Sequence, residues 1–139
     1  MDQDRYYAEH YSEILNSGGL GLVSRYIHSR LEKNIDIDAE VVLELGAGLG
    51  QHLSFVKHKF ARYYETDIRD ENLPNRKQRE NFNGKVIKMK LDAQDLSFIQ
   101  NGSISRIVSN CLLIHLDDPE KALKEWKRCL RIGEGRTGG

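Results

Sequence analysis

A chain of 139 residues has the length of one domain and can close a single core. Its 21 lysines and arginines balance 21 aspartates and glutamates, so no net field draws it to nucleic acid or to an anionic membrane. The apolar fraction of 39% lies below the roughly 45–50% usual for soluble domains, which implies a charged surface rather than disorder, because apolar residues recur periodically along the chain.

Residues 2–15 are polar and tyrosine-rich, with Tyr7, Tyr11 and Leu15 four apart on one helical face. Ser17-Gly18-Gly19 breaks that segment. Residues 20–31 predict an amphipathic helix with Val23, Ile27 and Leu31 aligned and Tyr26 beside them. These two N-terminal helices, residues 1–35, are expected to pack outside the sheet or to cap its ligand edge. Tyr6, Tyr7 and Tyr11 suit helix packing and a lid equally.

Residues 41–50 read V-V-L-E-L-G-A-G-L-G, an apolar run followed by glycines at 46, 48 and 50. That pattern predicts a buried strand turning sharply into a helix. Glu44 stands near the strand's carboxyl end, where open α/β sheets place their ligands. Leu53, Val56 and Phe60 mark the inner face of the short helix expected next. Residues 61–66 predict a second strand ending at Asp67. Residues 70–82 are heavily charged and broken by Pro74, which predicts a loop and a ragged helix. Asn83-Gly84 is a turn signal.

Residues 85–91 alternate polar and apolar as a third strand closed by Asp92, and residues 106–113 form the most apolar, fourth strand. Asp118-Pro119-Glu120 then supplies an N-cap, a proline at the first helical position and an acid in the first turn. The helix over 119–131 should bury Ala122, Trp126 and Cys129, with Lys124, Lys127, Arg128 and Arg131 in its later turns, where the helix dipole favours cations. Gly133 stops it, and residues 136–139 are a flexible tail. Strands alternating with helices predict a parallel sheet with right-handed crossovers, so that Glu44, Asp67 and Asp92 gather at one sheet edge.

No apolar run is long enough to span a bilayer, and no charged-then-apolar leader opens the chain. Cys111 and Cys129 have no metal-ligand spacing and make no disulfide framework, so no metal is expected and the cytoplasm is the expected compartment. A dinucleotide site needs G-x-G-x-x-G, but counting from Gly46 the third glycine would be position 51, which is Gln51. The spacing is G-x-G-x-G instead, and a nicotinamide cofactor is disfavoured.

At this point the sequence resembles the small-molecule branch of the class I methyltransferases that use S-adenosylmethionine. Glu44-Leu45-Gly46-Ala47-Gly48-Leu49-Gly50 is similar to the family's first motif, and Asp67-Ile68 to the pair ending its second strand. Asp92-Ala93-Gln94-Asp95-Leu96 resembles the segment after the third strand, and residues 109–123 the fourth strand and the helix that follows. The resemblance implies an α/β, Rossmann-like parallel sheet of order 3-2-1-4 over residues 36–135.

It also implies roles. Glu44 would hold the methionine ammonium of S-adenosylmethionine, directly or through water, and Gly46, Ala47, Gly48 and Gly50 would let the backbone approach it. Asp67 would accept the ribose hydroxyls, a task suited to two acceptor oxygens. Asp92 would face the adenine amino group, Ile68 its ring, and Ala93 would supply a backbone donor. Asn110 would lie under the methionine moiety. The implied reaction carries a methyl group to a small-molecule or lipid-headgroup acceptor and relies chiefly on proximity and orientation. No general base is assigned, since His52 and His115 read as packing or surface histidines.

The sequence departs from the family at Ser105, where an aspartate is common, and at Ile132, where a proline is. Family members also continue with a fifth strand and an antiparallel pair, so the chain is expected to be C-terminally truncated. The fourth strand, with Ile107, Val108, Cys111 and Leu112, is then an open edge, predicted to pair with a second copy as a homodimer. The alternative is a non-catalytic cofactor-binding or assembly module that pairs through that edge.

Overall fold

Val41–Leu45 is apolar but for Glu44 and is buried on both faces, the signature of a central parallel strand. The computed structural model describes residues 18–33, 35, 39–69, 79–81, 83–110 and 112–131, and Val41–Leu45, here β1, lies inside its sheet. The tyrosine-rich segment 2–15, Pro74, Cys111 and the tail from Gly133 lie outside the described residues. β1 pairs in parallel with β2 (Arg62–Asp67) on one side and with β5 (Arg106–Ser109) on the other. β2 pairs in parallel with β4 (Gly84–Lys90). These four strands stand in the expected 3-2-1-4 arrangement.

A fifth strand was not expected. β3 (Arg79–Asn81) runs antiparallel on the outer edge of β4, giving the order β3-β4-β2-β1-β5. Residues 79–81 are therefore one arm of a hairpin rather than part of a loop and ragged helix. Asn81 pairs with Gly84 across a two-residue connection. Gly84 takes φ 152°, and a Cβ there would lie 1.9 Å from the Phe60 carbonyl oxygen, so only glycine fits. Charged Arg79 and Glu80 suit an edge strand, which native sheets guard with charge.

Side chains of β1 alternate between two cores. Val41, Leu43 and Leu45 pack with Leu91, Leu96 and Ile104 and with Ala122, Trp126 and Cys129 of the C-terminal helix (Pro119–Cys129). That helix opens as expected: the Lys121 amide donates to the Asp118 carboxylate at 3.0 Å, with Pro119 at its start. The chain leaving it returns to the sheet through a parallel bridge between Ile104 and Leu130. On the other face Val42, Tyr63, Val86 and Val108 pack with Leu53, Val56 and Phe60.

The helix expected after the glycine loop is a single 3-10 turn, His52–Phe55. Val56 leaves it extended, at ψ 119°, and its carbonyl accepts from the Asn83 side chain at 3.0 Å while the Phe60 amide donates to the Asn83 carbonyl. The hairpin thus anchors both ends of residues 56–60 outside any helix, so Leu53 is buried from the 3-10 turn and Val56 and Phe60 from the irregular chain after it, instead of all three from one helix face.

The N-terminal helix described, α1 (Gly18–Leu31), inverts its expected packing; the C-terminal helix is α2. Val23, Tyr26 and Leu22 are 52–64% exposed, whereas His28 is buried. α1 lies against the 3-10 turn, and Glu32 just beyond it reaches Arg106 at the start of β5. β5 also ends early, at Ser109 rather than at 113, and Leu113–His115 forms another 3-10 turn. Leu112 has left the strand. No helix among the described residues is long and apolar enough to cross a membrane.

Candidate functional site

β1 hands the chain to the loop 46–50 at the carboxyl end of the sheet, and Gly46, Gly48 and Gly50 all take positive φ there, at 72°, 57° and 80°. The loop is stitched to the end of β2. The Ala47 amide donates to the Thr66 carbonyl at 2.8 Å, and the Gly48 amide donates to Asp67 Oδ2 at 2.9 Å. Thr66 in turn donates its hydroxyl to the Glu44 carbonyl at 2.6 Å. Asp67, the last residue of β2, also accepts from the Arg69 amide, so its carboxylate spans the loop and the turn that follows the strand. Ile68 beside it is 54% exposed.

The remaining acid lies two residues past β4. Asp92 accepts from the Gln94 amide at 2.9 Å and opens a turn closed by the Asp95 amide. Ala93 is buried, and its carbonyl accepts from Trp126 Nε1 at 2.8 Å, which ties this segment to α2. Asn110 follows β5 directly. A Cβ at Gly46 would lie 3.1 Å from the Leu112 side chain, so Leu112 covers the first glycine of the loop. Nine of the ten residues expected at the cofactor thus stand at, or just past, the carboxyl ends of the four parallel strands.

Glu44 is the exception in character. It is 4% exposed and lies on the α1 face of β1, where Tyr63 donates to its carboxylate at 2.7 Å. Burial pushes its carboxyl up to about 7, against the Tyr63 hydrogen bond and the nearby His52, which favour the charged form. Glu65 stands opposite Glu44 in the β1–β2 register, fully buried, with Lys88 of β4 at 3.6 Å. Burial, and then the neighbouring Glu44, raises the Tyr63 hydroxyl well above its usual range. A band of buried ionisable groups, Lys88–Glu65–Glu44, therefore crosses the sheet beneath the loop. A Cβ on Gly50 would lie 2.9 Å from Glu65 Oε2, and the buried carboxylate has nowhere to retreat. Gly50 is required by this contact as well as by its φ.

Sequence reasoning passed over Tyr63, Glu65 and Lys88, and the missing signal was available. Alternation along Arg62–Asp67 puts Tyr63, Glu65 and Asp67 on one face. It also passed over the group His28, Glu32, His52, His58 and Arg106, whose members are too far apart in sequence to read as a cluster. His52 is 1% exposed, between His28 at 2.9 Å and Glu32 at 3.1 Å, while His115 is exposed. Burial alone would raise Glu32, but hydrogen bonds from Arg106 and His52 outweigh it and hold the carboxyl down at about 2. Ser105 bonds both ways to Val41, accepting from its amide at 3.1 Å and donating its own amide to its carbonyl, which sets the start of β5 against β1. No group of three His, Cys, Asp or Glu among the described residues is placed to hold a metal ion.

The family described as "Methyltransferase domain" matches residues 43–134. No curated protein matches the chain. Among solved structures it is similar to the complex of the Haloferax volcanii Trm112 methyltransferase activator with a methyltransferase, at 19% identity and a TM-score of 0.68, over 96% of this chain and 57% of that one. An S-adenosylmethionine-dependent methyltransferase from Methanococcus maripaludis matches at 17% identity and 0.65, over 93% and 60%. One from Thermotoga maritima matches at 21% and 0.59, over 92% and 55%. The chain spans no more than 60% of the length of these three.

Proposed function

Because this chain belongs to the methyltransferase domain family, whose cofactor is S-adenosylmethionine, we propose that it binds that molecule across the carboxyl ends of β1, β2 and β4 and supports methyl transfer from it. The observation that carries the reading is the hydrogen bond from the Gly48 amide to Asp67, which makes the glycine loop and the acid of β2 one rigid unit. The residues fit the ligand by charge. Its sulfonium and ammonium outweigh its carboxylate, and the edge offers Glu44, Asp67 and Asp92. When bound, it supplies a methyl group on sulfur, open to in-line attack by an oxygen, nitrogen or carbon nucleophile.

In this reading Asp67 takes the ribose hydroxyls, with its carboxylate already oriented by Gly48 and Arg69. Exposed Ile68 covers one side of the adenine, Asp92 faces its amino group, and the Ala93 amide donates to the ring. Gly46, Ala47 and Gly50 shape the loop, Asn110 lies under the methionine moiety, and Glu44 draws the ammonium from beneath the loop. Because Glu44 titrates near 7, binding a cation above it favours release of its proton. The acceptor we favour is a small molecule or a lipid headgroup, in line with the branch that the sequence resembles. Titration calorimetry tests the reading: S-adenosylmethionine is expected to bind and NAD not to, and tight NAD binding without response to the methyl donor overturns it.

A second reading is favoured by the outer side of β5. Among the described residues β5 is the outermost strand on its side of the sheet, and beside it a groove of about 560 Å³ is lined by Ile107, Leu112, Leu113, Leu123, Trp126 and Leu130. The Ser109 hydroxyl is buried there with no hydrogen-bond partner among the described residues. We assign this edge to a second copy of the chain, whose pairing would satisfy both edges across a two-fold. Light scattering at several concentrations is expected to show mass above the monomer. A monomer at every concentration removes the pairing and leaves the cofactor reading intact.

A further inference from the structure

Two histidines, His28 and His52, tie α1 to the turn after the glycine loop, and a third, His58, backs the arginine that holds Glu32 at the end of α1. His28 Nδ1 lies 2.9 Å from His52 Nδ1, their rings 5.1 Å apart, and His28 also stacks on Phe55. His52 Nε2 meets Glu32 at 3.1 Å, Arg106 clasps both oxygens of Glu32, and Arg106 Nη1 lies 2.7 Å from His58 Nε2. His28 and His58 are 8% exposed and His52 1%. The group joins the end of α1, the turn directly after the glycine loop, the stretch before β2 and the start of β5.

Donor and acceptor chemistry fixes the protons. Arginine only donates, so His58 Nε2 accepts, and its Nδ1–H donates to the Lys59 carbonyl at 3.0 Å. An ionised carboxylate only accepts, so His52 Nε2–H donates to Glu32. His52 Nδ1 and His28 Nδ1 must then share a single proton. The contact survives when either ring is charged and the other neutral. When both are charged it sets donor against donor.

We propose that His52 is a positioning residue for the glycine loop, gripped at both ring nitrogens by α1 and its end, and that this grip opens when His28 and His52 are both protonated. Its consequence for the cofactor rests on the reading of the loop given above; the grip itself does not. His52 stands two residues beyond Gly50, so a shift of its ring moves the end of the loop. The charged and titratable groups that meet it are Glu32 and His28 from α1 and its end and, through its field, Glu44 from β1; behind Glu44 stand Tyr63 and Glu65 of β2, and behind Glu32 stand Arg106 of β5 and His58 from the stretch before β2. Burial, and then the neighbouring His52, keeps His28 below its ordinary range.

Amide hydrogen exchange tests the grip, with intrinsic rates divided out, over α1 and the 46–52 loop at pH 7.5 and pH 5. In the wild type, protection of both segments is expected to fall together at pH 5, by about ten-fold. In His28→Gln the loss at pH 5 should shrink to about two-fold, because an amide can donate to a neutral His52 or accept from a charged one. His52→Phe, which keeps a flat aromatic ring but removes both ring nitrogens, should lower protection of both segments already at pH 7.5. Calorimetry with S-adenosylmethionine on the same proteins should show His52→Phe binding roughly five- to fifty-fold more weakly, the range of an ordinary coupling between two sites. Equal pH dependence in wild type and His28→Gln, or loss in α1 without loss in the loop, overturns the proposal. A wild type that shows the exchange pattern but does not bind the cofactor keeps the grip and overturns the cofactor reading instead.

Discussion

Glu44 and Asp67 are both strand-end acids, yet their surroundings give them opposite tests. Glu44 is raised from an ordinary value near 4.5 to about 7, so between those values the folded protein holds a proton that the unfolded chain has released. Its contribution to stability is complete below about pH 4.5 and is lost as pH rises through 7, by on the order of 3 kcal/mol. His28 works the other way: its lowered value makes its contribution complete above about 6.5 and lost as pH falls. Urea unfolding of wild type and Glu44→Gln side by side cancels the His28 effect. The wild type's stability relative to the variant is expected to decline between pH 5 and 7.5, and a flat difference would mean that Glu44 does not titrate there. Asp67 holds Gly48 and, in the proposed site, the ribose. Asp67→Ala should weaken S-adenosylmethionine binding by roughly 1.5–3 kcal/mol, about ten- to a hundred-and-fifty-fold, as charge-assisted hydrogen bonds are lost. Asp95→Ala should change binding little, because Asp95 is exposed and its carboxylate accepts from Ser97, two residues on. Equal losses in calorimetry would move the ribose acid elsewhere.

Among the elements, α2 bears most directly on the site. The Trp126 indole crosses from α2 to the Ala93 carbonyl, and Arg128 reaches the carbonyls of Leu96 and Ile99. Trp126→Phe should cost about 1–3 kcal/mol, because the buried Ala93 carbonyl loses its donor and a cavity opens. The same variant should loosen the 92–96 segment and weaken cofactor binding by a few-fold; unchanged stability by thermal melts would show that the contact is dispensable. α2 was legible in the sequence down to its cap, because Asp118, Pro119, Ala122, Trp126 and Cys129 act within one helix period. The four parallel strands and their terminal acids were legible for the same reason, since alternation and glycine punctuation are local. What was not legible depends on distant partners. Leu53, Val56 and Phe60 carry helical spacing, yet the helix stops after one 3-10 turn and Asn83 takes the backbone of Val56 and Phe60. α1 shows an apolar stripe, yet His28 and Glu32 turn the other side inward toward His52 and Arg106. β3 is three polar residues with no periodicity to read, and only β4 makes it a strand.

For the whole molecule, the proposed cofactor edge and the proposed pairing edge along β5 lie on different parts of the sheet. The proposed cofactor contacts come from the loop and from the ends of β1, β2 and β4, with Asn110 alone beyond β5, so pairing through β5 leaves most of that site untouched. Turnover is the quantity that pairing should alter, because an acceptor must approach beside the cofactor. A methyl-transfer assay run across the concentrations used for light scattering is expected to show low turnover by the monomer and a rise with mass; ordinary turnover by a clean monomer would sever the link between assembly and activity. The order of the strands also sets a schedule. β1 bonds to β2, some twenty residues on, and to β5, more than sixty residues on. During synthesis the hairpin and the β1–β2–β4 ladder can pair while β5 and α2 are still unmade. Val41, Leu43 and Leu45 then lack the cover of Ala122, Trp126 and Cys129 until α2 arrives. Closing that long loop costs more chain entropy than pairing β1 with β2, so the nascent chain is expected to be most open to chaperones and to mispairing just before β5 and α2 are released.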